Sequence, residues 1–357
     1  MGTSRQQGGG SEPRPSTRRH VTITDVARAA GVSKAAVSYA LNGRPGVSDR
    51  TRSHVLSTAE QMGWTPSLRA RSISLSRSHA LGLVVPRPVG ALGSPFLSQA
   101  ITGIQEVIQP ERLVLLQAMA GDVDAEIEMY RTLSHDGRVD GVFLVDLREE
   151  DPRLSALAEL DLPYVAFGPA DEPDSEYVVG SDTENALREA TRMLIDLGHT
   201  TFASVSGPAR LRHTPHRVEV IAQELREAGL AEPVQELGDY TAASGAECTR
   251  RVLARSLRPT AIIYANDVMA IGGMGMAHEL GYRIPEDLSV LGMEDIELAA
   301  HVPPGLTTIR SDSRALGAEA ARRLVTLLDP SSALRPRPLP EPELIRRGST
   351  GPAPIRA

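Results

Sequence analysis

From residue 80 onward, short apolar runs alternate with longer stretches in which apolar residues recur every three or four positions. The runs are LGLVV (81–85), RLVLLQA (112–118), VDGVFLV (139–145), PYVAFG (163–168), TFASVSG (201–207), AIIYAND (261–267) and LSVLGME (288–294). Between them lie PFLSQAITGIQEVI, AEIEMYRTLSHDG, NALREATRMLIDLG, HRVEVIAQELREAG, ASGAECTRRVLARS and VMAIGGMGMAHELG. Continuous apolar runs separated by amphipathic helices predict parallel strands buried on both faces, joined by crossover helices. The units are too many for one compact sheet, so an α/β core of two lobes is expected over residues 80–345. After about residue 330 the chain is Pro-rich. It reads as irregular apart from a late strand near Glu343–Ile345, with a flexible tail at 346–357.

The first 79 residues follow a different pattern. Residues 1–20 are rich in Gly, Ser, Pro and Arg and read as a disordered basic tail. Residues 21–66 carry three short helical patterns. Thr22 and Asp25 stand three apart, as in a capping box with Asp in place of Glu. Ile23, Val26, Ala27 and Ala30 then form one apolar face, and Gly31 closes the helix, where a left-handed residue is needed. Ser33 is placed to cap a second helix, with Val37 and Leu41 facing inward and Gly43 following it. A third helix starts near Ser48 and carries Val55, Leu56, Ala59 and Met62 on one side. Two helices joined by a tight Gly turn and closed by a third form helix-turn-helix geometry, which is used both to read DNA and as a plain structural bundle. The exposed start of the second helix would carry Lys34, Ala35, Ser38 and Tyr39. These are small or hydrogen-bonding groups able to approach base edges in a major groove. Residues 67–79, SLRARSISLSRSH, are polar, basic and Ser-rich and read as a hinge or linker.

Charge sharpens this division. Residues 1–79 hold 12 Lys/Arg against 4 Asp/Glu, and the rest of the chain holds 26 against 41. A basic head on an acidic body places any polyanion contact on the head. Of the 357 residues 41% are hydrophobic, enough for a sizeable core and for two or three folding units. No apolar run reaches the roughly eighteen residues of a membrane span, and no signal-peptide core opens the chain. Cys248 is the only cysteine, which excludes an internal disulfide or thiolate cluster and fits a reducing cytoplasm.

Enzyme signatures are missing. Lys34 is the only lysine, so the core has neither a Walker A nor a Schiff-base lysine. GGMGMAHELG lacks the third glycine of a dinucleotide fingerprint and lies within a helical pattern, which suggests close helix packing. There is no His-x-x-x-His pair, no Cys-rich spacing for zinc, and no Gly-x-Ser-x-Gly elbow. No catalytic residue, metal site or cofactor is therefore expected.

VTITDVARAAGVSKAAVSYALNG, continued by GVSDRTRSHVLSTAEQMGWTPS, closely resembles the headpiece of the LacI/GalR family of bacterial transcription regulators. ALGLVVP, SPF, VDGVFLV, LGH, SGP, AND, GYRIPEDLSVLGMED and PPGLTTIR follow in that family's order over nearly the whole chain. The resemblance implies a homodimeric cytoplasmic regulator, a repressor, that binds a palindromic double-stranded operator. A sugar or related metabolite in a cleft between two lobes would modulate that binding. It implies base contacts by Lys34, Ala35 and Tyr39, and phosphate contacts by Thr22, Thr24, Ser33, Ser38, Asn42, Ser48 and Thr51. It implies a hinge helix in which Ile73 wedges into the minor groove and Ala70 lets paired helices approach.

The core resembles the periplasmic sugar-binding fold. By that resemblance Phe96, Arg217, Tyr240, Asn266 and Glu294 are effector-binding positions. His213 and His216, near Arg217, could face the cleft or serve as surface and capping groups, while Asp267 is expected to be structural. The chain departs from the family at Glu294, usually Asp, at Gly168, usually Asp or Asn, and at Ser311, often Gln. Gly305 is an extra residue, and RPVGALGSPF is longer than usual. The Pro-rich C-terminus lacks a tetramerising heptad, which favours a dimer. The competing reading is a cytoplasmic sugar-binding protein without a DNA role.

Overall fold

The computed structural model describes residues 21–41, 45–64, 77–86, 94–169 and 176–355. Asn42, Ala70 and Ile73, the tail 1–20, and most of the 67–79 segment lie outside the described residues. The chain divides into two compact units, Met1–Ser76 and Arg77–Ala357.

The first unit holds three helices, α1 (Ile23–Ala29), α2 (Lys34–Leu41) and α3 (Asp49–Gln61). Side chains three residues apart fix their starts. The Thr22 amide donates to Asp25 Oδ2 at 3.0 Å, and the Asp25 amide donates to Thr22 Oγ1 at 3.4 Å. Ser33 Oγ accepts from the Ala36 amide at 3.1 Å, and Ser48 Oγ from the Thr51 amide at 3.2 Å. Each cap satisfies an amide that the helix leaves without a partner. Gly31, at φ 66°, makes the turn between α1 and α2. Val26, Val37 and Val55 are fully buried together with Ala27, Ala30, Ala40 and Ala59. Leu56 departs from the expected inward face, being 45% exposed. The inward stripe of α3 runs through Val55, Ala59 and Met62, and Leu56 lies one position further round the helix.

The second unit is an α/β core with two sheets. The first takes β1 (Ala80–Pro86), β2 (Val114–Ala120), β3 (Gly141–Leu144), β4 (Tyr164–Phe167) and β5 (Val178–Val179), in the order β2-β1-β3-β4-β5, all parallel. The second takes β6 (Phe202–Ser206), β7 (Val234–Leu237), β8 (Ala261–Tyr264), β9 (Ser289–Glu294), β10 (Thr307–Arg310) and β11 (Glu343–Ile345), in the order β11-β10-β9-β8-β6-β7. Only β11 runs antiparallel, along β10. Each of the seven apolar runs contains a strand. β5 has only two residues, and β7 (VQEL) and β10 (TTIR) mix polar with apolar side chains, so none of the three forms an apolar run.

The lobes are not continuous in sequence. The first-lobe core joins Leu81, Ile104 and Phe143 to Leu316, Ala320 and Leu324 of the late helix Ser313–Leu328. The chain thus leaves the first lobe after β5, builds the second, returns at 311–313, and crosses again to lay down β11. Two glycines permit that return. A Cβ on Gly103 would lie 1.9 Å from the Arg314 carbonyl oxygen, and one on Gly317 would lie 2.0 Å from that of Ala100. Gly272 and Gly273 of GGMGMAHELG are also packing surfaces, since a Cβ on Gly272 would stand 2.1 Å from the Ala242 carbonyl oxygen and one on Gly273 2.2 Å from the Tyr264 hydroxyl, while Gly275 faces open space.

Much of residues 346–355 is anchored to the core, contrary to the expected flexible tail, although Ile355 at its end is exposed. Ser349 is fully buried. Its carbonyl accepts from the Val290 amide at 2.8 Å, and its Oγ accepts from the Thr307 amide at 2.8 Å while donating to the Val290 carbonyl at 2.6 Å. The Gly351 carbonyl lies 3.1 Å from Nε2 of the buried His199, whose Nδ1 lies 2.9 Å from Thr260 Oγ1. Pro-rich composition lacks the strand pattern, yet the segment anchors through these hydrogen bonds.

Candidate functional site

In the first unit α2 turns one side out. Ser33, Lys34, Ala35 and Tyr39 are exposed and Ser38 is half-buried, while Val37 and Ala40 face the core. Thr22 and Ser48 are exposed and Thr24 and Thr51 half-buried. The small side chains at the start of α2 let its backbone approach a surface closely, and Lys34 adds a cation there. Thr22 Oγ1 already donates to Asp25 Oδ2 at 2.7 Å, so an incoming group meets Thr22 as an acceptor.

In the second unit the carboxyl ends of strands from both sheets open onto one cavity of about 940 Å³. Crevices at strand carboxyl ends are where open α/β sheets bind ligands. All five residues expected there line it: Phe96, Arg217, Tyr240, Asn266 and Glu294. His213, His216, Gly168 and Ser311 line it as well.

The second-lobe wall is built by packing at sequence-distant positions. Helix His213–Glu227 carries Arg217 into the cavity. Burial pushes the Arg217 guanidinium below its usual pKa, against the pull of Tyr240 and Glu294. Burial also holds the His213 imidazole down to about 3, helped by the Arg217 charge, so this ring is neutral. Its Nε2 lies 2.7 Å from the Tyr240 hydroxyl. Tyr240, at φ 68°, is pushed up to about 12 by burial. Glu294 ends β9 at φ 113°, and its Oε2 is buried without a hydrogen-bond partner. Burial, then the neighbouring Asp267 carboxylate, push Glu294 up to about 8 despite Arg217.

Asn266 plays another part. Its Oδ1 accepts from the Met269 amide at 2.9 Å, capping helix Asp267–Glu279, and its Nδ2 donates to the Tyr240 carbonyl at 3.3 Å. Asp267 is buried and bonds the Thr308 hydroxyl at 2.6 Å and the Ile296 amide at 2.9 Å. It is a structural group, as its sequence position suggested. His216 sits 3.3 Å from Glu184 Oε2 at the cavity rim.

The first-lobe wall carries an aromatic pair. Phe96 and Phe167 meet edge to face with centroids 5.9 Å apart. Sequence reasoning passed over Asp146 and Arg148, which line the cavity just after β3. The signal was present, because VDGVFLVD ends a strand run in an acid. A buried ion network holds this loop. Arg153, with no exposed surface, donates to Glu126 Oε2 and Asp151 Oδ2 at 2.6 Å each and to the Val145 and Asp146 carbonyls. Arg148 adds a 3.2 Å pair with Glu126. The loop also reaches the second lobe, where the Arg212 amide and Nε donate to the Leu147 and Arg148 carbonyls at 3.0 and 2.9 Å.

Bacterial regulatory proteins of the lacI family match residues 22–67, and a periplasmic binding protein-like domain matches residues 191–350. The chain is 31% identical over 345 residues to the HTH-type transcriptional regulator AglR of Rhizobium meliloti, covering 94% of this chain and 96% of that one. The chain belongs to the LacI family of bacterial transcriptional regulators. A lac repressor dimer bound to operator and the anti-inducer ONPF superposes with a TM-score of 0.78 at 27% identity, covering 93% of this chain and all of that one. A complex of the transcriptional regulator CelR with cellobiose does so with a TM-score of 0.69 at 28% identity, covering 92% of this chain and all of that one. The headpiece of this LacI-family regulator is thus a DNA-binding unit, and its relatives are regulators rather than enzymes. No described helix is long and apolar enough to cross a membrane.

Proposed function

We propose that this regulator is a cytoplasmic repressor that binds a palindromic operator as a homodimer, and that a small carbohydrate-related ligand in the cleft sets its operator affinity. The observation that carries the reading is the exposed stripe of Ser33, Lys34, Ala35 and Tyr39 on α2. In a major groove Lys34 would donate to guanine O6 or N7 and Ala35 would offer its methyl group to thymine, with Tyr39 a third base contact. Thr22, Thr24, Ser33, Ser38, Asn42, Ser48 and Thr51 would set the register on phosphates. Ala70 and Ile73 would pair and wedge the hinge, where unstacking one step costs about a few kcal/mol, offset by extra contacts. Ile73 is stiffer at χ1 than the usual Leu, so a shallower wedge is expected.

Phe96, Tyr240, Arg217 and Glu294 would hold the ligand, with Asn266 shaping the floor by its cap. Ligand control requires different affinity for two arrangements of the lobes. The loop–loop hydrogen bonds at Leu147 and Arg148 would have to differ between them. The test is in vitro selection of DNA bound by the full-length protein at stated salt, alone and with small molecules from cell extract. A palindromic site enriched in either arm is expected. The absence of any enriched site in both arms overturns the DNA-reading role and leaves a ligand-binding protein.

A further inference from the structure

The second-lobe wall of the cleft has an unbalanced chemistry. Arg217 makes no hydrogen bond or ion pair among the described residues, although it lines a cavity at the junction of two lobes. Beside it, Glu294 Oε2 is buried and unpartnered. A carboxylate left without hydrogen bonds in a buried place takes up a proton, whereas a guanidinium stays charged.

The groups around the pair do not cancel the charge. Asp267, on helix Asp267–Glu279, accepts from the Thr308 hydroxyl and the Ile296 amide, and its charge acts on Glu294 rather than on Arg217. Asp295, next in sequence, is held by Arg310 and Arg347. The neutral His213 and the protonated Tyr240 bring no charge. Across the cleft Arg148 is paired with Glu126, and Arg210 stands with it beside Asp146, away from the Arg217 floor. The floor therefore offers one uncompensated cation and, beside it, an acid hydroxyl that can donate.

We infer that the effector carries a carboxylate, as a sugar acid does, and that this group seats between the Arg217 guanidinium and the buried, unpartnered Oε2 of Glu294. The inference rests on reading this cleft as the effector site. A carboxylate accepts from the guanidinium fork in a bidentate way and from the acid hydroxyl on its other face. A neutral sugar could accept from Arg217 but would leave its charge unmatched. The other cations lining the cavity, Arg148 and Arg210, lie by Asp146, and Arg217 is the one beside Glu294, so a phosphate dianion seated there would meet a single guanidinium. The Phe96–Phe167 pair on the opposite wall suits the C–H face of a sugar ring. Glu294 also couples binding to pH. Above about 8 it ionises and repels the carboxylate, so affinity for a sugar acid falls as pH rises through that value.

The experiment uses the full-length protein. Thermal shift and calorimetry would be run with uronic and aldonic acids, their neutral parent sugars and sugar phosphates, at about pH 6 and about pH 9.5. At least one sugar acid is expected to bind at least about tenfold more tightly than its neutral parent, and to weaken at the higher pH. Glu294→Gln, which still donates, keeps the acid preference and flattens the pH profile. Arg217→Met removes the preference. Arg217→Lys, which keeps the charge without the fork, retains part of it, so a misfolded Met variant would not decide the matter.

The strongest response coming from a neutral sugar or a phosphate overturns the carboxylate assignment, as does an acid preference that survives Arg217→Met in folded protein. A complete lack of response to sugar acids overturns it too. In each case selected operator DNA is titrated in parallel. Release or recruitment by a neutral sugar or a phosphate would leave the effector cleft standing. Failure of every class to change operator affinity would remove the cleft's regulatory role as well.

Discussion

The headpiece and the cleft solve opposite problems. In the headpiece several of the proposed contact groups are placed by partners three residues away: Thr22 by Asp25, Ser33 by the Ala36 amide, Ser48 by Thr51. Its surface is exposed, and its polar groups meet water until DNA replaces it. In the cleft the central pair, Arg217 and Glu294, comes from a helix and a strand end far apart in sequence. Local sequence thus specifies the DNA-reading face, and long-range packing specifies the ligand face. Hydration of an exposed lysine is cheap, while burial of a carboxyl moves its pKa by several units. That difference leaves the cleft with an acid that holds its proton near neutrality.

Four substitutions would break or sharpen this contrast, in decreasing order of expected effect. Gly103→Val would drive a branched side chain into the Arg314 carbonyl, 1.9 Å from its Cβ position. It should destabilise the core by about 3 kcal/mol or more in denaturant unfolding, while the headpiece helices keep their local caps. Glu294→Gln removes an acid whose folded pKa is raised to about 8. Such a group lowers stability as pH climbs from its unfolded value to its folded one, so the variant should match the wild type in acid and exceed it above about pH 8. The expected gain there is on the order of 2 kcal/mol, read as a shift in Tm across pH.

Lys34→Ala should weaken specific operator binding by about 1–3 kcal/mol and relax one base preference. An unchanged preference in a selection experiment would remove Lys34 from base reading. Asn266→Ala takes the cap from helix Asp267–Glu279 and should cost about 1 kcal/mol of stability, with a smaller effect on ligand affinity than Arg217→Met. A ligand-affinity loss as large as that of the arginine variant would make Asn266 a direct ligand group.

His199 supplies a pH test that spares both sites. Burial lowers its pKa below 6.5, and its ring is enclosed by Thr260, Ser289 and the Gly351 carbonyl. Protonation is therefore disfavoured in the folded chain. Stability should fall as pH drops below about 6.5, and a His199→Gln variant should lose that acid sensitivity along with part of its stability.

The same contrast explains what the sequence revealed. Headpiece boundaries, caps and the exposed face of α2 were legible because 3.6-residue periodicity and capping act over a few residues. The seven core strands were legible because parallel strands buried on both faces are apolar throughout. Leu56 was misplaced by one helical position, which composition cannot resolve. The anchored 346–355 segment was missed because it is held by single hydrogen bonds, such as those of Ser349, and has no periodic face. The second crossing, which returns helix Ser313–Leu328 to the first lobe, depends on Gly103 and Gly317 meeting across more than two hundred residues. In the cleft, resemblance singled out Arg217 and Glu294, which line the same cavity. It could not show that Asn266 is spent on a cap, that Asp146 and Arg148 complete the other wall, or that Glu294 retains an unpartnered oxygen. Those are consequences of packing.

The most direct test is the operator affinity of the full-length protein, measured at fixed salt against rising concentrations of the sugar acid that binds most tightly, for the wild type and Arg217→Met side by side. The account predicts that the ligand changes wild-type affinity by about tenfold or more, and that this ratio collapses toward one in the variant. Equal ratios in the two proteins, or a wild-type affinity for operator that no cleft ligand moves, would contradict it.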